Sequence, residues 1–299
     1  MARSMFRRAA VAVLLLLAAP VRGGDATGAF APYEDVVEVV ADLTWHLNDD
    51  VYRFPPPRDP TGHDLYQLAL HRLEHWEKRY PGRLRDVTTF ARAEALERLG
   101  EFARATELYR KVMPPSELAA RAVIAGARSF EFASVDALPE TAATLDATLT
   151  ALKTKLDAWA KLIDKYQGDP IQCLALVEEE RLEIRAAELL VEHRHVLQDG
   201  TASAERALRF LIEKHGESRN LSGHVLRLAD FYADLAREYL KAHDRPLAFD
   251  EAQFTQQADR ALDTYRKVAT WDGAREKPEG QGRYAALDAW KTEVLARHR

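Results

Sequence analysis

Five residues carry the most recognisable arrangement for bond chemistry, His71-Arg72-Leu73-Glu74-His75. Histidines at i and i+4 share one helical face and can ligate a zinc ion, and the H-x-x-E-H spacing sets a carboxylate beside the metal. The chemistry would be zinc-dependent hydrolysis by His71, Glu74 and His75. It also requires a downstream acidic ligand and an α/β scaffold, which this chain does not predict. Leu73 and Trp76 occupy the apolar stripe of the same helix, so both histidines border it at the surface. His193 and His195 are two residues apart and point to different helix faces. No Ser/His/Asp elbow, phosphate-binding glycine loop, CxxC pair or dinucleotide fingerprint is present. The sequence therefore assigns no catalytic residue, cofactor or metal. A zinc hydrolase stands as the alternative to a non-enzymatic protein.

The elements that position these residues are helices. Glycine and proline number 14 and 13 and cluster between long Ala/Leu/Glu/Arg-rich runs, a distribution that favours uninterrupted helix. Few runs alternate apolar and polar residues as a half-buried strand does. Glu178-Glu179-Glu180 and Asp49-Asp50 read as solvated charge. Cys173 is the single cysteine, so no internal disulfide forms. It reads as a small buried apolar residue, with an intermolecular disulfide or reactive thiol as the alternative.

The first 23 residues read as a secretory signal peptide. Arg3, Arg7 and Arg8 precede the uncharged run Ala9 to Ala19, and Val21-Arg22-Gly23 fits cleavage near Gly23. The run falls short of the roughly 20 apolar residues that span a bilayer, and no comparable run follows. No integral membrane segment is expected. No cysteine stands near the cleavage site, so lipid anchoring is not expected. The product is expected in the periplasm or secreted. Losing Arg3, Arg7, Arg8 and Arg22 takes the formal net charge from −5 to −9. Such a chain lacks the cationic excess that neutralises phosphates, so no nucleic-acid partner is expected.

Residues 24–62 hold an N-terminal helix around Tyr33 to Leu47 and a Pro-rich loop with Pro55, Pro56 and Pro57. Helices are then expected over His63 to Tyr80, Asp86 to Leu99 and Glu101 to Met113. The next begins at a Ser116 cap and runs to about Phe132. Others follow over Glu140 to Tyr166, Ile171 to Leu197, from a Ser203 cap to about Lys214, Leu221 to Leu240 and Asp250 to Ala269. A polar linker starts near Asp272, and Tyr284 to His298 forms a last helix. The resulting domains are 63–271, the helical array, and 272–299, linker and capping helix.

The stretch Ala91 to Val112, ARAEALERLGEFARATELYRKV, carries small residues at Ala93 and Ala105, a turn at Gly100 and Phe102, and a second-helix stripe of Ala105, Tyr109 and Val112. Ala261, Tyr265 and Val268 repeat that stripe, and YRKV occurs at Tyr109 and again at Tyr265. Helix ends also recur, as KRYPG, DKYQGDP and EKHGES. In these features the chain resembles the tetratricopeptide-repeat family, in particular bacterial envelope proteins of outer-membrane assembly and cell-division coordination. The resemblance is good over 86–113, fair over 203–270 and weak elsewhere. It implies an all-α fold, a right-handed α-solenoid of about eleven helices stacked as antiparallel pairs. A strict 34-residue period does not run through it, so the middle repeats are divergent.

The resemblance also implies a concave groove lined by the first helix of each pair, with Phe90, Glu94, Glu97 and Arg98 facing it. Family members that grip a terminal carboxylate use Lys, Arg and Asn there. This lining is mainly acidic and suits a basic or mixed peptide. The expected function is a periplasmic scaffold or adaptor for other envelope proteins or peptides. A structural envelope protein that binds itself or the cell wall is a further alternative.

Overall fold

The computed structural model describes residues 62–245 and 249–298, together with residues 36, 39–41, 43 and 44. The expected signal peptide and the Pro-rich loop up to residue 61 lie outside the described residues. Among the described residues there is no strand, and ten helices are complete. They are α1 (His63–Arg79), α2 (Arg85–Arg98), α3 (Phe102–Tyr109), α4 (Ala119–Asp136) and α5 (Leu145–Lys165). They continue with α6 (Gln172–Glu192), α7 (Gly200–Lys214), α8 (Leu221–His243), α9 (Glu251–Ala269) and α10 (Lys277–His298). No described helix is long and apolar enough to cross a membrane.

Each helix packs chiefly on its neighbours in the chain, most closely α8 on α9 and least closely α4 on α5. The core runs as four successive apolar clusters. Val36, Val39 and Leu43 meet Leu73 and Trp76 of α1 and Ala91 and Ala95 of α2. Phe90, Ala93 and Leu96 on the other side of α2 meet Ala105, Tyr109 and Ala122. Phe102, Phe132, Trp159 and Leu182 link α3 to α6, and a last cluster joins α6 to α10. A helix covered on both sides buries more than one stripe, which is why α2 is buried around much of its circumference.

Several helix ends differ from expectation for local reasons. The α2–α3 turn closes with Gly100 N–H donating to Glu97 O and Glu101 N–H to Leu96 O, at 3.1 and 2.9 Å. This Schellman pairing needs the left-handed φ of +78° at Gly100, which glycine adopts without strain. Helix α3 stops at Tyr109, short of Met113, and relaxes into i→i+3 turns ahead of Pro114. Ser116 does not cap α4; its hydroxyl accepts from Leu118 N–H two residues on, at 3.3 Å, and the helix begins at Ala119. Helix α5 starts at Leu145, where Thr144 caps it by accepting from Ala147 N–H at 3.2 Å. The expected start at Glu140 fails because that carboxylate is engaged elsewhere, by Lys155 and Arg181.

Helix α6 ends at Glu192, short of the expected Leu197, and Val196 beyond its end is 78% exposed. Helix α7 begins at Gly200, ahead of the expected Ser203 cap. Asp250 does cap α9, accepting from Ala252 and Gln253 N–H. Helix α10 begins at Lys277, seven residues before Tyr284, because Pro278 sits in the first turn where no donor is missed. Gly280 lets α10 lie against α9: a Cβ there would meet Val268 Cγ1 at 3.0 Å and Ala269 N at 3.1 Å.

Candidate functional site

The four residues expected to line a groove stand on α2, where it faces α4 and the start of α6. The structure separates them by depth. Phe90 is buried, with its ring edge-on to Tyr109 at 5.4 Å and the Arg121 guanidinium over it at 4.9 Å. Glu97 is buried at 3% exposure. Glu94 and Arg98 are half-buried and reach the surface. The open lining is therefore narrower than the sequence implied: the interior takes Phe90 and Glu97, because α4 lies directly over that turn of α2.

Glu97 organises three helices. Its carboxylate accepts from Arg128 Nε at 3.1 Å and Nη2 at 2.6 Å, from Ser129 Oγ at 2.6 Å and from Tyr109 OH at 3.3 Å. A buried carboxylate is tolerable only when paired and hydrogen-bonded in this way. Burial, with the Glu97 charge beside it, holds the Tyr109 phenol protonated above its ordinary range. Burial works to lower the Arg128 pKa, and the hydrogen bond and charge of Glu97 outweigh it, so the net shift is upward.

Glu94 is different. Its nearest cation is Arg121 at 3.5 Å, and Arg121 is 64% exposed. Burial pushes the Glu94 carboxyl up to about 7; Glu97 adds to this, and Arg121, Arg128 and Arg98 oppose it. At the rim, Arg98 Nη1 donates to Pro170 O at 3.1 Å and lies 3.5 Å from Cys173 Sγ, while Arg128 is 3.8 Å from Asp169. Cys173 is exposed, contrary to the expected burial, since it sits on the first turn of α6 with its thiol donating to Pro170 O at 3.0 Å.

Arg121, Arg128, Ser129 and Asp169 complete this face, and sequence reasoning missed all four. Arg121 and Arg128 stand seven apart, two helical turns along one face of α4, which was the available signal.

The same clamp recurs. Asp230 on α8 accepts from Tyr265 OH on α9 at 2.5 Å and from Arg283 on α10. Glu205 on α7 accepts from Tyr232 OH on α8 and Arg260 on α9, both at 2.8 Å. The repeated YRKV motif thus places Tyr109 and Tyr265 in equivalent roles. The recurring helix ends fall on Tyr80, Tyr166 and His215, the last residues closing α1, α5 and α7. Two of them grip the preceding helix: Lys165 and Tyr166 hold Glu131 of α4, and Lys214 and His215 hold Glu183 of α6.

The acidic run expected to be solvated is partly interior. Glu180 is 6% exposed, because α6 is packed from both sides, and it takes hydrogen bonds from Ser218 Oγ at 2.7 Å and from His224 Nε2 at 2.6 Å. Burial keeps His224 below its ordinary pKa, against the opposing pull of Glu180.

His71 and His75 are exposed on α1, and Glu74 lies 3.6 Å from Arg92. No group of three His, Cys, Asp or Glu side chains converges on a metal position among the described residues.

These features define an all-α protein of sequentially packed helices whose carboxylates tie three helices at a time. The chain matches no protein-family model and no curated protein sequence.

Proposed function

We propose that this chain is an exported, non-enzymatic helical-repeat adaptor, a right-handed α-solenoid that holds a peptide segment of another envelope protein. The observation that carries the reading is the recurrence of one clamp, Glu97–Tyr109–Arg128 and Asp230–Tyr265–Arg283, across three consecutive helices at both ends of the array. A unit that repeats in this way buries its apolar face by stacking on its neighbours, and stacked arrays offer extended surfaces for binding. Glu94, Arg98, Arg121 and Asp169 form the accessible face where the first helices of successive pairs meet. Their mixed charge suits a peptide that carries both a basic and an acidic side chain.

Capture is by shape and side-chain complementarity, with no bond made or broken. Crosslinking in the periplasm followed by mass spectrometry tests it. Glu94→Lys combined with Arg121→Glu is expected to deplete a crosslinked partner while helicity stays unchanged. An unaltered partner set refutes the assignment of this face. Stoichiometric zinc in purified protein, lost on His71→Ala, would overturn the non-enzymatic reading.

A further inference from the structure

Between the end of α3 and the outer side of α4 lies an open cleft of about 770 Å³, walled by Tyr109, Met113 and Pro114 on one side and by α4 on the other. It is a different surface from the α2–α4–α6 face. The α4 wall is built of Ala120, Val123, Ala127 and Phe130, at steps of three, four and three, which is the spacing of a helix–helix seam. Val123 and its neighbour Ile124 are each 71% exposed, Met113 64% and Phe130 54%. Leaving such large side chains together in water is unfavourable, and a contiguous patch of this kind marks an interaction surface.

The charges at its ends identify the occupant. Arg110 lies over the Phe130 ring at 5.6 Å, at one end of the cleft, and Glu117 lies at the other, just before α4 begins. Neither forms an ion pair among the described residues. The two ends are roughly 20 Å apart along the helix, at about 1.5 Å per residue.

An isologous two-fold contact requires a surface that complements itself when reversed. Reversing α4 about the point midway between Glu117 and Phe130 falls between Val123 and Ile124. That single operation sets Ala120 opposite Ala127 of the second copy, so two small residues permit close approach. It also brings the Arg110–Phe130 end against the oppositely charged Glu117 end, twice. We infer that this cleft is the interface of a homodimer, with α4 of each copy lying antiparallel in the cleft of the other and the two-fold axis passing at Val123 and Ile124.

Sedimentation velocity on the purified protein tests the inference, with Cys173→Ser as background to remove the exposed thiol. A concentration-dependent dimer is expected. Arg110→Glu and Glu117→Arg should each weaken it about tenfold or more, and the double exchange should restore it, because each charge meets its opposite in the other copy. Val123→Arg should give a monomer with unchanged circular dichroism. Val123→Cys should crosslink to itself on mild oxidation, whereas Phe210→Cys, on another exposed patch, should not. A chain that stays monomeric at about 100 μM, or a dimer that Val123→Arg leaves intact, overturns the assignment. So does loss of a different crosslinked protein from Val123→Arg, which would make the cleft a site for another partner. Capture by the Glu94 face is read separately in the Val123→Arg monomer, so either reading can fail alone.

Discussion

Two clamps of the same design work in opposite surroundings. Glu97 is sealed at 4% side-chain exposure between α2, α3 and α4, whereas Asp230 in the α8–α10 clamp retains 38%. Both bind a tyrosine of a YRKV motif and an arginine from the following helix. The buried carboxylate has exchanged water for four protein donor groups, so losing it strands the buried Ser129 and Tyr109 hydroxyls. The open one keeps water as a substitute partner. The same side-chain chemistry is thus a packing requirement at one end and a surface latch at the other.

The largest expected effect separates them. Glu97→Ala should destabilise by about 2–4 kcal/mol, since it leaves the buried Ser129 and Tyr109 hydroxyls unsatisfied and Arg128 with only the more distant Asp169. Asp230→Ala should cost about 1 kcal/mol or less, the range of a solvent-screened pair. Urea unfolding of each variant measures the difference, and equal losses would show that burial does not set the value of the clamp.

The helix contacts beside the clamps come next. Gly280→Ala drives a Cβ against Ala269 N and Val268, so a backbone atom must move, and about 1–3 kcal/mol is expected to be lost. Gly126→Ala meets Tyr109 Cβ at 3.0 Å beside the open cleft. At both positions part of the strain is offset by the gain of about 1 kcal/mol from replacing glycine within a helix. A thermal melt in which Gly126→Ala is the worse of the two would mean that α3 is the more rigid neighbour.

Tyr109→Phe and Tyr265→Phe remove one hydrogen bond each. Losses of about 0.5–1.5 kcal/mol are expected, with Tyr109 the costlier because its carboxylate partner is buried. A double-mutant cycle with Arg128→Met and Arg283→Met, respectively, reads the coupling.

The smallest effect is a pH dependence confined to the first region. The folded chain holds the Glu94 proton more tightly than the unfolded chain, whose carboxyl titrates near 4.5. Stability is therefore lost as pH rises between about 4.5 and 7 through this group. Glu94→Gln should remove that slope and raise stability at pH 8 by about 1 kcal/mol, discounted for the freedom of Arg121 to approach. A slope unchanged in Glu94→Gln assigns the titration to another carboxyl.

Much of the architecture was legible along the chain. The spacing of Leu73 with Trp76 and of Ala261 with Tyr265 and Val268 predicts their buried stripes, because a helix repeats its face every three to four residues. Proline and glycine marked most breaks, and Gly100 marked the tightest turn. Legibility failed where a non-local partner decides. Ser116 and Ser203 have the chemistry of caps, yet the backbone turns elsewhere. Glu140 is drawn off by Lys155 and Arg181, 15 and 41 residues away.

The site divides along the same line. The family resemblance implied Phe90, Glu94, Glu97 and Arg98 as one face of α2, and the residues themselves paired the two YRKV motifs. Tertiary structure decided which of them reach water. Depth depends on what lies above a residue, here α4 and the start of α6, and that is a long-range contact no local spacing encodes. It buried Glu97, exposed Cys173 and gathered Arg121, Arg128 and Asp169 around Glu94. It also left Val123 and Phe130 uncovered, where α5 packs on α4 less closely than any other successive pair of the ten helices.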